Sequence, residues 1–205
     1  MSKPLFKVLS VSFLFVLSTA LATKQDCYDA FDADDFATAA VECAAPAKAG
    51  DAYSQFAMGY MTDSGQGFKE NNDYAMTWYA LAAEQGQADA MNNLGDMYYQ
   101  ADGVKKDTAE AFFWYSEAAK RGQKFGQAAL GIMYYRGDGV AQSGKNAAYW
   151  FKLAADQGVA YAQYYLGTMY RDGAGVAVDL DLAFAYLQES AKNGYEDAKK
   201  ALINW

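Results

Sequence analysis

Glycines at Gly50, Gly86, Gly122, Gly158 and Gly194 are separated by a constant step of 36 residues. Two further series, Gly59, Gly95, Gly131, Gly167 and Gly67, Gly103, Gly139, Gly175, keep the same step and the same register. A period of this length points to a stack of equivalent supersecondary units. One such unit cannot bury its apolar face alone, so each must be covered by the next.

The residues between the glycines say what the unit is. Ala75, Trp78, Tyr79, Ala82 and Ala83 fall at i, i+3, i+4, i+7 and i+8 and form one stripe at 100° per residue. The same slots hold Ala111, Trp114, Tyr115, Ala118, Ala119 and then Ala147, Trp150, Phe151, Ala154, Ala155. This predicts a first helix closed by Gly86 and its equivalents, which suit the left-handed conformation after a helix. A second helix is predicted through Ala90, Leu94, Gly95, Met97 and Tyr98, repeated at Leu130 to Tyr134 and Leu166 to Tyr170. A glycine in mid-helix costs about 1 kcal/mol relative to alanine, so four of them imply close approach of a neighbouring helix. The unit ends in a Gly-x-Gly-Val turn at Gly137 to Val140 and Gly173 to Val176, with Ala101 in place of the first glycine in one copy and Phe68 in place of the valine in another. Asp107 and Asp179 follow at helix N-cap positions.

This pattern of Ala-x-x-Trp-Tyr, Ala-Ala, Gly, Leu-Gly-x-x-Tyr, Gly-x-Gly-Val and Asp resembles the Sel-one-like repeat family, a branch of the tetratricopeptide superfamily. It covers residues 35–205. The departures are a missing proline after Gly-x-Gly-Val and Ser143 in place of one turn aspartate. The resemblance implies an all-α, right-handed α-solenoid of antiparallel helix pairs, a tetratricopeptide-like superhelix holding a protein or peptide on its concave face. Relatives with signal peptides serve as envelope adaptors, regulators or immunity proteins, and the resemblance does not choose among these.

The N-terminus reads as an export signal. Lys3 and Lys7 precede the ten-residue apolar run Val8 to Leu17, and Ala20-Leu21-Ala22 offers a small-x-small cleavage site. The expected layout is a signal peptide at 1–22 and one repeat domain at 23–205, with an N-terminal cap at 23–50 and helix pairs onward to 205. Ten apolar residues are too few for a bilayer span, which needs about 20. A periplasmic or secreted product without a membrane span is expected, as a monomer.

Acidic residues number 25 against 17 basic ones, two of which lie in the leader, leaving a mature charge of about −10 that disfavours nucleic acid. The chain contains no histidine and two cysteines, which removes Ser/His/Asp and Cys/His nucleophile systems and the usual zinc sets. No catalytic residue, metal or cofactor is expected. Gly139 to Asn146 imitates a phosphate loop but lacks the hydroxyl residue after Lys145. Asp29, Asp32, Asp34 and Asp35 lack the spacing of a calcium loop and suit helix capping. Hydrolysis or binding of β-lactams, described for cysteine-rich relatives, rests on analogy alone, and a purely structural spacer is the other alternative.

At the ends the repeat is altered. Glu42 and Cys43 take the tryptophan and tyrosine slots, and Pro46 should bend the helix that carries them. If Tyr28 to Phe31 form a short helix folded back on Asp35 to Lys48, Cys27 meets Cys43 and a disulfide forms; two free buried thiols are the alternative. Ile203 and Trp205 take the mid-helix glycine and methionine slots, as a lid on the last unit.

Partner contacts are expected where the repeat fails to repeat. By resemblance the first helices line the concave side, and their outward slots vary from unit to unit. Phe113, Tyr149 and Leu153 are apolar there beside Lys120, Lys152 and Asp156, the composition of a binding hot spot with a polar rim. The competing reading packs Phe113 and Tyr149 between neighbouring first helices.

Overall fold

The computed structural model describes residues 23–203 and Trp205; the expected leader at 1–22 lies outside the described residues. Within them the backbone forms twelve helices: α1 (Lys24–Asp32), α2 (Phe36–Glu42), α3 (Ala44–Lys48), α4 (Ala52–Ser64), α5 (Asn72–Glu84), α6 (Ala88–Gln100), α7 (Thr108–Lys120), α8 (Lys124–Arg136), α9 (Gly144–Asp156), α10 (Ala160–Asp172), α11 (Leu180–Lys192) and α12 (Glu196–Ile203). From α4 onward consecutive helices pack as antiparallel neighbours, giving an α-solenoid with no strand among the described residues. None of these helices is long and apolar enough to cross a membrane.

The boundaries follow local chemistry. Asn71, Asp107, Ser143 and Asp179 cap α5, α7, α9 and α11 by accepting backbone N–H groups of the first turn. Ser143 accepts from Asn146 at 3.3 Å, so the serine keeps the cap that the aspartates supply elsewhere. The helices α5, α7, α9 and α11 end in short links through Gly86, Gly122, Gly158 and Gly194, all at positive φ.

The mid-helix glycines decide which helices interlock. A Cβ at Gly95 would lie 2.6 Å from the Tyr115 ring; at Gly59 it would lie 2.6 Å from Tyr79, at Gly131 2.7 Å from Phe151 and at Gly167 3.0 Å from Leu187. Each even-numbered helix from α4 to α10 therefore seats a bulky side chain of the next odd-numbered helix, and these are the most closely packed pairs in the stack. The sequence pattern required a close neighbour without saying which; α5 and α6, across the short link, also pack, but less closely, because the small-against-large contact is made across the Gly-x-Gly turn. Tyr79 and Phe151 are completely buried by it. The turns stack as well, with Gly139 lying against the Thr108 carbonyl at the head of the preceding α7.

At the N-terminal end three short helices, α1 to α3, precede α4. α1 folds back on α2, and Cys27 and Cys43 are joined in a disulfide with their Cα atoms 4.5 Å apart. Cys43 is fully buried in the slot that tyrosine fills in the next units. Pro46 has no N–H for the Glu42 carbonyl, and the helix breaks there into α2 and α3. Asp35 caps α2 through the Thr38 N–H, which accounts for one member of the aspartate cluster. At the other end the lid is not closed. Ile203 is 82% exposed, while Trp205 rests on Phe184 with ring centroids 5.4 Å apart. Ala198 is the one residue that α12 buries.

Two outcomes test this packing. Gly131→Ala should lower the urea midpoint, because overpacking against Phe151 costs about 1–3 kcal/mol while helix propensity returns only about 1 kcal/mol. Adding Phe151→Leu should recover part of the loss, and a single variant as stable as the parent would contradict the interlock. The intact mass should be unchanged by alkylation without reductant, and Cys27→Ala/Cys43→Ala should lose roughly 3 kcal/mol of stability, as expected for a loop of this size. Two alkylated thiols in the untreated protein would exclude the bridge.

Candidate protein-interaction surfaces

The two rows of helices are not equivalent. α4 touches α6, α6 touches α8 and α8 touches α10, whereas α5, α7, α9 and α11 make no contacts of like extent along their own row. Helices lie closest on the inside of a curve, so α4, α6, α8 and α10 line the concave side.

Along this row two cavities adjoin. One, of about 260 Å³, is walled by Tyr60, Asp63, Asn93, Met97, Asp102 and the shared pair Asp96 and Gln100. The other, of about 190 Å³, continues from that pair to Tyr99, Tyr115, Ile132, Met133 and Tyr161. The core interlock sets their chemistry. Tyr79, seated on Gly59, donates its hydroxyl to Asp63 at 3.1 Å, and Tyr115, seated on Gly95, donates to Asp96 at 2.7 Å. Asn92 donates to the second Asp96 oxygen at 3.0 Å. In the next units the seated residues are Phe151 and Leu187, which carry no hydroxyl, and Ile132 and Thr168 stand in the Asp96 slot. The groove therefore runs from a carboxylate-bearing half at α4 and α6 to an aromatic half at α8 and α10. There Tyr165 stacks on Phe151 at 5.2 Å and meets Tyr135 at 5.7 Å. Arg136 donates to the Tyr99 hydroxyl at 3.3 Å, and Arg171 pairs with Asp172.

Burial raises the pKa of Asp63, against the opposing hydrogen bond from Tyr79 and with help from the fields of Asp102 and Glu70. Burial likewise raises Asp96, against the bonds from Tyr115 and Asn92, with Asp63 adding to the rise. Neither carboxylate forms an ion pair among the described residues. The Tyr79 and Tyr115 hydroxyls are pushed well above the ordinary phenol range, chiefly by burial.

The residues expected from the variable slots lie elsewhere. Phe113 and Tyr149 are 51% and 58% exposed, which excludes their packing between neighbouring helices, and Leu153 is half-buried. Each aromatic leans edge-on against the tryptophan beside it, Trp114 or Trp150, at 5.0 Å. Lys120 pairs with Glu117 at 2.7 Å and Lys152 with Asp156 at 2.8 Å, so the charged rim is closed within each helix. A cavity of about 370 Å³ brings Phe113 and Lys120 together with Phe112, Leu130, Tyr134 and Trp150; Tyr149, Leu153, Lys152 and Asp156 do not line it.

Stacked helix pairs with a groove along one row make this an α-solenoid of the kind that serves as a protein-interaction scaffold. The chain belongs to the Sel1 repeat family, whose repeat matches residues 52–87, 88–123, 125–159 and 160–195. Proteins of this family are in general non-catalytic interaction scaffolds. Among solved structures it is similar to a protective antigen present in uropathogenic Escherichia coli strains, which displays an SLR fold, at 34% identity and a TM-score of 0.74 over 79% of this chain and 35% of that one. It is also similar to a Sel1 repeat protein from Oxalobacter formigenes, at 33% identity and a TM-score of 0.74 over 81% of this chain and 66% of that one. The chain thus spans less than two thirds of either protein. None of the curated proteins matches it.

The family register shows on which helices of the repeat the expected residues lie. Its repeats begin at α4, α6, α8 and α10, so these are the first helices, and they are the concave ones. Phe113, Lys120, Tyr149, Lys152, Leu153 and Asp156 sit on α7 and α9, the second helices, in the outer row. The cavity-lining residues Tyr60, Asp63, Asn93, Asp96, Tyr99, Gln100 and Tyr161 were not among those expected. Their signal was present in the slots Tyr60/Asp96/Ile132/Thr168 and Asp63/Tyr99/Tyr135/Arg171, which vary as much as those of α7 and α9.

The raised carboxylates give a signed pH prediction. Between the ordinary carboxylate pKa and their own, Asp63 and Asp96 hold a proton in the folded state that the unfolded state has released. Their ionisation therefore costs stability as pH rises through that window. Relative to Asp63→Asn/Asp96→Asn, the parent should gain stability in urea unfolding as pH falls from about 7 to about 4. A difference that stays flat or moves the other way would contradict the burial of these groups.

Proposed function

We propose that this protein is an exported, non-enzymatic scaffold of the cell envelope, which holds a segment of a protein partner along the concave row of α4, α6, α8 and α10. The observation that carries this reading is the pair of adjoining cavities, walled by tyrosines and carboxamides with carboxylates between them. Tyrosine supplies large contact area at low conformational cost, and the asparagine and glutamine amides supply adaptable hydrogen bonding. Export is supported by the sequence of residues 1–22 and by the disulfide, which suits an oxidising compartment. The similarity to a protective antigen points the same way. A role as scaffold rather than enzyme is supported by a sequence without histidine whose two cysteines are both spent in the disulfide. The domain begins at Thr23 on this reading.

The test is affinity capture from periplasmic extract with three baits: the parent, Tyr60→Ala/Tyr161→Ala in the groove, and Phe113→Ala/Tyr149→Ala on the outer row. A partner recovered by the parent and the outer-row variant, and lost by the groove variant, is expected. Loss by the outer-row variant alone would move the site to α7 and α9, and equal recovery by all three would defeat both assignments. The periplasmic protein should have a mass that starts at Thr23.

A further inference from the structure

We propose that the segment held in the concave groove is basic, and that a lysine or arginine side chain of the partner enters the cavity between α4 and α6 to pair with Asp63 and Asp96. This rests on the docking reading above and adds the chemistry of the occupant.

The argument is one of desolvation. A segment lying in the groove removes water from the cavity walled by Tyr60, Asp63, Asn93, Asp96, Gln100 and Asp102. Asp96 keeps one donor on each oxygen, Tyr115 and Asn92, and Asp63 keeps Tyr79. Asp102 keeps Asn72. None has a cation among the described residues, so an apolar or neutral occupant would strip charged oxygens without replacing their hydration, which is strongly unfavourable. An acidic occupant would add repulsion. A metal ion does not fit either, because among the described residues no group of three or more carboxylates is assembled closely enough to hold one.

A basic side chain satisfies both walls of the cavity. Its charged head reaches the carboxylates while its methylene stem or guanidinium plane lies on Tyr60 and Met97. The far half of the groove does not offer the same pairing. Ile132 and Thr168 replace the carboxylate slot there. The carboxylates nearby are Asp138, which accepts from the Tyr99 hydroxyl that also accepts from Arg136, and Asp172, which is paired with Arg171. The basic residue of the partner is therefore fixed to the α4–α6 end, which gives the bound segment a direction.

The experiment measures binding of the mature protein to fluorescent peptide pools of about nine residues. They are randomised except for a central Arg, Lys, Gln or Glu, and binding is read by anisotropy at low and physiological salt. Arg and Lys pools should bind at least ~10-fold more tightly than Gln and Glu pools, and Asp63→Asn/Asp96→Asn should abolish that preference. The asparagines can still accept from Tyr79 and Tyr115, and circular dichroism checks the fold. A basic preference that survives in the double variant would assign it to the general negative charge and overturn the proposal. Gln or Glu pools binding as tightly as Arg would overturn it too, leaving the groove as a docking site of other chemistry. No binding by any pool would overturn the basic occupant, while the capture result for Tyr60→Ala/Tyr161→Ala decides the groove independently.

Discussion

A glycine in the middle of one helix faces a large side chain on the next, and the rest of the architecture depends on that contact. Without a Cβ at Gly95, the Tyr115 ring reaches the backbone of α6, and the same holds for Tyr79 at Gly59 and Phe151 at Gly131. Glycine weakens each helix locally, by about 1 kcal/mol relative to alanine, and the burial of a whole aromatic side chain more than offsets it, at about 1.5–3 kcal/mol. Repeated at a constant interval, the contact fixes how each even-numbered helix packs on the next odd-numbered one.

The same contact also carries polarity from the core to the surface. Where the seated residue is tyrosine, its hydroxyl emerges on the concave side and holds a carboxylate, Asp63 or Asp96, in a half-buried position. Where it is Phe151 or Leu187, no hydroxyl emerges and the groove wall turns to Ile132, Thr168 and the tyrosines around Tyr165. One core slot, varying as Tyr, Tyr, Phe and Leu, thus grades the groove along its length. Carboxylates held this way are half-buried and form no ion pair among the described residues, which is the basis of the basic occupant proposed above.

The repeat, its length and the helix ends were legible in the sequence because each is imposed by local chemistry recurring in one register, whereas the disulfide could be read only on the condition that a short helix at Tyr28 to Phe31 folds back on the next. Ser143 could be recognised as a departure, and capping geometry shows that it keeps the function of aspartate. The choice of concave row was not legible. A stripe such as Ala75, Trp78 and Tyr79 states which face is buried but not which of two rows bends inward. That depends on contacts between α4, α6 and α8, helices 36 residues apart in sequence. Register alone did not settle the lid either: Ile203 occupies the slot of the mid-helix glycines, yet its side chain is exposed.

The most direct measurement is amide hydrogen exchange on the mature protein with and without its captured partner. The account predicts added protection in α6 (Ala88–Gln100) and α8 (Lys124–Arg136), with α7 and α9 unchanged on their outer faces. Protection concentrated in α7 (Thr108–Lys120) and α9 (Gly144–Asp156), with α6 and α8 unaffected, would contradict it.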